Sequence, residues 1–230
     1  ILIHRLERAA STNQWTGCAD EWLKRLETRL TVVEESWRRS LPQILSIEEY
    51  PEFQAFRLPA ERPSQLPTDQ IETELLRAFA ALESAWPEAL VEARWYIDGV
   101  LPMEMPDSRF NSASSDEAPF VVQVTIRRGA WPMLLAESLI HEMSHIKLDI
   151  ASSMEPLLTA DSADRSYSHP WRPDKRPLIG VLLGAHAFLN VMLFYRRAVE
   201  KNVDAERSAN EAELRRKEVG QALEVLDYNR

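Results

Sequence analysis

The stretch PMLLAESLIHEMSHIKLDI, from Pro132 to Ile150, decides the fold class and the chemistry of this chain. Its apolar residues recur at three- and four-residue spacing, which predicts a helix. They form a broad band, so the helix should be buried on most of its sides. Polar groups in such a helix need partners, because moving an unpaired polar group out of water costs free energy. The apolar positions are Met133, Leu134, Leu135, Leu139, Ile140, Met143, Ile146 and Ile150.

This predicted helix contains the motif His141-Glu142-Met143-Ser144-His145. Residues four apart lie one above the other on a helix face, so both imidazoles can offer a nitrogen atom to one metal ion. Two buried imidazoles without a shared partner would be costly, and the apolar neighbours favour burial over an exposed pair of histidines. The motif therefore predicts a metal site with His141 and His145 as ligands.

A third metal ligand should come from elsewhere in the chain. His186 lies on an uncharged segment over residues 178–195, and four of the five histidines fall between positions 141 and 186. We therefore predict His186 as the third ligand. His169 and Asp174 are the alternatives, and His4 is expected at the surface.

The segment YSHPWRPDKRP, from Tyr167 to Pro177, is basic in an otherwise acidic chain. Two of its cations, Arg172 and Arg176, carry the planar guanidinium group that holds a carboxylate by two hydrogen bonds. The segment predicts either a local anion pocket or a solvated basic loop that precedes the next helix.

Two runs of β-branched and aromatic residues, Trp95-Tyr96-Ile97 and Phe120 to Ile126, predict a small sheet. The polar cluster over 111–117 has loop composition, and prolines predict an irregular segment over 161–177. Residues 204–227 predict an amphipathic closing helix. Its apolar side should contain Leu214, Val219, Leu223 and Leu226.

The first third of the chain also predicts helices, with a proline-rich loop near residues 58–67. We therefore expect a mainly α (α+β) fold with a helical N-terminal region over residues 1–90. Residues 91–230 should form a metal-binding HExxH core in which a small β-sheet packs beside the HExxH helix. The N-terminal apolar positions at helical spacing are Trp22, Leu23, Leu26, Leu30 and Val33, followed by Ile71, Leu75, Leu76, Phe79 and Leu82.

Composition narrows the class of function. The chain has 230 residues, of which 45% are hydrophobic and 27% charged, as in ordinary globular proteins. A net charge of -9 disfavours nucleic acid and anionic lipid as partners. The single cysteine, Cys18, excludes an internal disulfide, a thiolate zinc cage and iron–sulfur ligation within one chain. A reducing, cytoplasmic location fits this cysteine content best.

The uncharged segment over 178–195 is long enough to be a candidate membrane span. It contains His186 and Asn190, and basic residues flank both of its ends, so it has no clear charge asymmetry. We therefore predict a buried core helix and no membrane partner. The chain start also lacks the pattern of a signal peptide.

The motif HEMSH followed by YSHPWRPDKRPLIGVLLGAHAF resembles the HExxH-type peptide β-hydroxylases of ribosomal peptide natural-product (RiPP) pathways. The resemblance covers about residues 111–197, and the Pro-Trp-Arg-x-Asp-x-Arg-Pro run from Pro170 to Pro177 makes it more specific than HExxH alone. Family members commonly carry Ser-Pro-Trp where this chain has His169-Pro170-Trp171. They also carry histidine at the position of Leu183 and an aromatic residue at the position of His186.

The resemblance implies a dioxygenase that uses iron(II), 2-oxoglutarate and O₂ to hydroxylate a side-chain β-carbon of a ribosomally made precursor peptide. Such an enzyme needs open coordination positions on its metal, which two or three protein ligands on one side leave available. Arg172 or Arg176 would bind the distal carboxylate of 2-oxoglutarate. Glu142 would orient a ligand or the cosubstrate, and zinc is an alternative or substitute metal.

Two other functions remain open from the sequence. In a zinc-dependent peptidase, Glu142 would activate water and Glu155 or Glu200 would be the third ligand. The metzincin class is excluded, because it needs glycine and histidine where this chain has Leu148 and Ala151. In a non-catalytic peptide-binding protein, the metal would be structural or absent. The oligomeric state is not predicted.

Overall fold

The structure is a computed structural model that describes residues 41–50, 53, 61–106, 109–155, 157–158 and 165–228. Within these ranges the chain forms five α-helices, one small mixed sheet and one two-stranded sheet, which confirms the predicted mainly α, α+β class. The helices are α1 (Thr68–Ala85), α2 (Pro87–Tyr96), α3 (Pro132–Met154), α4 (Leu178–Glu200) and α5 (Ala205–Tyr228). The helix predicted around residues 22–33 lies outside the described residues.

Helix α3 contains the HExxH motif and confirms the helix predicted from Pro132 to Ile150. Its first residue is a proline, which is tolerated there because the first turn has amide groups without intrahelical acceptors. The hydroxyls of Ser138 and Ser144 are buried, and each donates a hydrogen bond to a carbonyl oxygen one turn earlier, at 3.1 and 2.7 Å. These bonds remove the cost of burying two polar groups inside an apolar helix.

The strands of the main sheet are β1 (Gln43–Ile44), β2 (Arg62–Pro63), β3 (Gly99–Glu104), β4 (Ser112–Ser114) and β5 (Val121–Thr125). Their order is β1-β3-β5-β4, and β2 also pairs with β3. Strand β5 is parallel to β3 and antiparallel to β4, which is an end strand of the sheet. Strands β6 (Ser166–His169) and β7 (Arg172–Pro177) form a separate antiparallel hairpin. The main sheet packs beside α3, as predicted.

The strand predicted over Phe120 to Ile126 is confirmed by β5, whereas the strand predicted at Trp95-Tyr96-Ile97 is wrong. Trp95 and Tyr96 complete α2, and the next strand begins at Gly99. Helix α2 starts at Pro87 and buries Ala89, Leu90 and Ala93 at helical spacing. Its packing outweighs the weak β preference of two aromatic residues.

Two segments predicted as loops contain strands. Residues 112–114 pair with β5, and residues 166–177 form the β6–β7 hairpin. The serines of β4 suit a strand because their hydroxyls reach a buried carboxylate on α3. Proline is tolerated in β7 because both strands of a two-stranded sheet are edge strands.

One hydrophobic core joins α1, α2, α3 and α4 with the main sheet. The predicted division at residue 90 falls inside α2, and both α1 and α2 contribute buried residues to this core. In the part of the predicted proline-rich loop that is described, Arg62–Pro63 forms strand β2, and Pro67 precedes α1.

Helix α4 is long and apolar enough to cross a membrane by length and composition alone. An 18-residue window of this helix has a mean hydropathy of 1.9, and 44% of the window is buried inside the fold. Here it packs against α3 and α5. Helix α5 confirms the predicted closing helix, but its apolar side is only partly as predicted. Val219 is buried, whereas Leu214 and Leu223 are 46% and 53% exposed, because α5 buries the small residues Ala212 and Ala222 instead.

Candidate metal centre

His141 and His145 turn their ring nitrogen atoms toward one another on α3. Their Nε2 atoms lie 2.9 Å apart, and their rings meet at 83°. Burial, aided by His145 and Arg215, holds the pKa of His141 well below its usual value. Burial also lowers the pKa of His145 to about 4, with smaller effects from His186 and Arg176. Both rings are therefore neutral at pH 7, the state in which imidazole binds a metal.

The distance between the two Nε2 atoms fits a shared metal ion. Nitrogen atoms that each lie about 2.1 Å from one ion are roughly 3.0 Å apart at a right angle and about 3.4 Å apart at a tetrahedral angle. The observed 2.9 Å is close to the right-angle value.

Glu142 lies between the two histidines in sequence and is buried, with 1% exposure. The Ser114 hydroxyl donates to its Oε2 at 2.7 Å. Burial raises the pKa of Glu142 to about 7, although hydrogen bonds from Ser112 and Ser114 lower it. Its Oε1 lies 3.9 Å from His141 Nε2 and has no hydrogen-bond partner within the described ranges. A carboxylate oxygen near the imidazole pair is thus available to a ligand.

The imidazole pair opens on a cavity of about 740 Å³. Its walls come from β4 and the residues before it, from α3, from the β6–β7 hairpin, and from α4 and α5. Cavities of this size suit small molecules or short chain segments. The lining residues are Phe110, Asn111, Ser112, Ala113, Ser114, Leu134, Glu137, Ser138, His141, Glu142, His145, Asp149, His169, Trp171, Arg172, Arg176, Gly180, Leu183, Gly184, Phe188, Arg207 and Arg215.

The structure does not place His186 among the residues that line this cavity. Helix α4 instead presents Leu183 there, together with two glycines and Phe188. Burial lowers the pKa of His186, and the nearby Lys147 adds to this effect. Across the described ranges, no group of three or more His, Cys, Asp or Glu side chains is placed to hold one ion. The geometry therefore brings together two of the three histidines predicted as ligands.

The other candidate ligands are placed differently. His169 lines the cavity from β6, beside Trp171. Asp174 lies on β7 and pairs with arginines. Glu155 follows the end of α3 and Glu200 ends α4, and neither residue lines the cavity. His4 lies outside the described residues.

Both arginines predicted to bind an anion line the cavity from β7. Alternate residues of a strand share a face, so Asp174 lies between Arg172 and Arg176. Its carboxylate oxygens are 3.2 Å from Arg172 Nε and 3.4 Å from Arg176 Nε. The arginine side chains are 52% and 40% exposed, so they form a basic rim rather than a buried clamp.

Trp171, Phe188 and His141 form a continuous aromatic wall. Trp171 stacks on Phe188 with ring centroids 4.8 Å apart, and Phe188 meets His141 at 4.6 Å. Gly184 permits this arrangement, because a Cβ atom there would lie 2.7 Å from Trp171 Cζ3. The absence of a side chain at this position lets the hairpin pack against α4.

Several cavity residues were missed by sequence reasoning. Asp149 lies one helical turn after His145, and this four-residue spacing was a visible signal. Burial raises the pKa of Asp149 to about 6, and Asp116 adds to the shift. Ser112 and Ser114 are two residues apart, a spacing that places both hydroxyls on one face of a strand. This spacing carried no meaning in a segment predicted to be a loop.

A partly buried polar network beneath His141 had no local signal in the sequence. Arg215 Nη2 donates to Glu137 Oε1 at 2.8 Å, and the Tyr195 hydroxyl donates to Glu137 Oε2 at 2.5 Å. The Arg215 guanidinium also lies 4.9 Å above the Phe188 ring. These residues come from three helices and meet only in the folded chain, where they support the aromatic wall against His141.

Comparison with known proteins assigns no family to the chain. No family model matches it, and no curated protein matches it significantly. The geometry of the site and the resemblance of its motifs are therefore the basis on which a function can be inferred.

Proposed function

We propose that this protein is an iron(II)- and 2-oxoglutarate-dependent dioxygenase that hydroxylates a side-chain β-carbon of a ribosomally made precursor peptide. One observation carries the proposal: two neutral, partly buried imidazoles place their Nε2 atoms 2.9 Å apart at the wall of a cavity of about 740 Å³. The motif resemblance supplies the reaction class, and the arginine-lined rim suits an anionic cosubstrate.

His141 and His145 are the residues that would hold the metal. Bound iron would supply activation of O₂, coupled to decarboxylation of 2-oxoglutarate to succinate and CO₂ and to conversion of a C–H bond into C–OH. A site with few protein ligands leaves positions for the keto acid and for O₂. Zinc stays a substitute metal, because it too binds neutral imidazole.

Arg172 and Arg176 would bind the distal carboxylate of 2-oxoglutarate. Asp174 meets each arginine at Nε, and a guanidinium group has further N–H donors at its terminal nitrogen atoms. Asp174 therefore holds the two side chains near one another at the rim of the cavity. A ligand carboxylate is then met by two cations whose separation is already restricted.

Glu142 would hold a ligand in place by a hydrogen bond at Oε1. Its pKa of about 7 allows this carboxyl to be either a donor or an acceptor near neutral pH. A zinc peptidase would use Glu142 as the base that activates water. Neither Glu155 nor Glu200, the third ligands that such a peptidase would use, lines the cavity.

The test is anaerobic addition of ferrous iron followed by titration with 2-oxoglutarate. We expect a visible charge-transfer band that saturates with 2-oxoglutarate, and succinate release when oxygen is admitted. Arg172→Ala and Arg176→Ala should raise the 2-oxoglutarate concentration needed without loss of iron, whereas Arg196→Ala, an exposed arginine of α4, should not. Peptide cleavage with zinc alone and no such band would contradict the proposal.

A further inference from the structure

Strand β4 is an end strand, and its backbone hydrogen bonds to β5 alternate along the chain. The pairing places Ala113 opposite Gln123. Just before the strand, Thr125 N–H donates to the Asn111 carbonyl oxygen at 2.9 Å. In an antiparallel ladder, the residues between such hydrogen-bonded pairs turn their N–H and C=O groups the other way. The backbone groups of Ser112 and Ser114 therefore point away from β5, toward the open edge.

Strand β4 lines the candidate metal cavity. Residues 110–114 all line it, together with His141 and His145. Within the described part of the chain, no other segment pairs with the outer side of β4. A row of unpaired backbone donors and acceptors is a template for another strand. Here the template lies beside the two imidazoles.

We propose that the edge of β4 binds an extended segment of the peptide substrate as an added strand. That the bound peptide is a substrate rests on the proposed function, whereas the binding of a peptide at this edge does not. An added strand would lie about 4.8 Å from β4 and point every second side chain to the same side of the sheet. The Ser114 hydroxyl, which bonds Glu142, shows that this side faces α3. Side chains of the peptide opposite Ser112 and Ser114 therefore point toward the HExxH helix.

Backbone pairing suits a reaction at a β-carbon. This carbon is the first atom of a side chain, so its position is set by the peptide backbone almost independently of residue type. An enzyme that holds the main chain can place any β-carbon at the same point. Recognition through β4 therefore predicts tolerance of different side chains at the modified position.

A short peptide fits this edge better than the sheet of a second copy of the chain. Strand β4 lines a cavity that Trp171 and Arg172 also line, whereas an edge-to-edge dimer needs open space beside the edge of both copies. The same cavity is lined by Arg207, which the proposed cosubstrate site does not use, so an acidic peptide is the occupant we expect.

The experiment compares proline and alanine at one residue of the edge. Ser112→Pro and Ser112→Ala both lose the hydroxyl, but only proline loses the outward N–H, and an edge strand tolerates proline at such a position. Peptides are selected on the wild-type protein from a random library displayed on phage, and the enriched sequence is synthesised with a fluorescent label. Its binding to each variant is measured by fluorescence anisotropy.

We expect acidic sequences to be enriched, and Ser112→Pro to bind the labelled peptide at least about tenfold more weakly than Ser112→Ala. N-methylation of successive peptide amides should weaken binding to the wild-type protein at every second position. This second measurement needs no variant, so it decides the matter even if Ser112→Pro fails to fold. Equal binding by the two variants, or loss without alternation along the peptide, would overturn the proposal.

Two further outcomes separate this inference from its alternatives. Edge-to-edge pairing of two copies would overturn it, and would appear as a dimer that Ser112→Pro converts to a monomer. Failure of the protein to bind iron and 2-oxoglutarate would overturn the proposed function alone, because the alternating pattern of peptide binding would still stand.

Discussion

The two helices that flank the cavity, α3 and α4, contribute to it in opposite ways. Helix α3 presents His141, Glu142, His145 and Asp149, whereas α4 presents two glycines, Leu183 and Phe188. The histidine of α4 lies outside the cavity lining. The comparison teaches that, of these two helices, α3 supplies the ionisable side chains of the cavity, whereas α4 shapes the cavity and supports its aromatic wall.

The largest expected effect tests this division directly. His141→Ala or His145→Ala should weaken metal binding by more than the roughly 10–100-fold that changes around a metal site cost, because each removes a ligand. His186→Ala should keep most of the affinity, since this residue does not line the cavity. Titration with cobalt(II), followed by its visible absorption, measures all three. Equal losses in the three variants would restore His186 as a ligand.

A second change would make the two helices more alike. Leu183→His places an imidazole on the cavity side of α4, at the position where the similar peptide hydroxylases carry histidine. We expect cobalt(II) to bind about tenfold more tightly or better, because a third ligand joins the pair. The matched control is Leu182→His, whose position does not line the cavity. An equal gain in both variants would indicate non-specific metal binding by added histidine.

A smaller effect should follow from the network that supports Phe188 behind His141. Arg215→Ala removes the cation above Phe188 and leaves Glu137 with the Tyr195 hydroxyl alone, so His141 loses part of its support. We expect roughly tenfold weaker cobalt(II) binding, partly restored in Arg215→Lys. The neighbouring Arg216 is exposed and pairs with Glu213 at 2.7 Å, which makes Arg216→Ala the control. A similar loss in both variants would point to a general effect on α5.

The smallest effect concerns the pH dependence of stability in the metal-free protein. Burial raises the pKa of Asp149 from 3.8 to about 6. The folded state therefore holds this proton more tightly than the unfolded state does. The resulting stabilisation is fully present below the ordinary pKa and is lost as the pH rises through about 6. Replacement by asparagine keeps the neutral form at every pH.

The melting temperature of Asp149→Asn should therefore rise relative to that of the wild type between about pH 4 and about pH 7. Each kcal/mol of unfolding free energy that the wild type loses over this range should widen the difference by roughly 2–4 °C. Differential scanning calorimetry across this pH range measures it. Glu72→Gln, at an exposed position of α1, is the control. A difference that stays constant with pH would show that the partly buried carboxyl of Asp149 does not titrate in this way.

Much of the structure around the HExxH motif was predictable from local pattern. The start of α3 at Pro132 was predicted, although the helix ends at Met154 rather than at the predicted Ile150, and β5 followed from a run rich in β-branched residues. The strands at 112–114 and 166–177 were missed because their residues have loop composition. They become strands through partners that no local pattern contains, such as Glu142 on α3 for the hydroxyl of Ser114.

The sequence by itself determined that two imidazoles share one helical face, because residues four apart on an α-helix are neighbours whatever the rest of the fold does. It also determined that basic residues precede the uncharged helix. Only the tertiary structure decided which side of that helix meets the imidazole pair. The rotation of α4 about its axis is set by packing against Trp171, α3 and α5, and these contacts place Leu183 rather than His186 in the cavity wall.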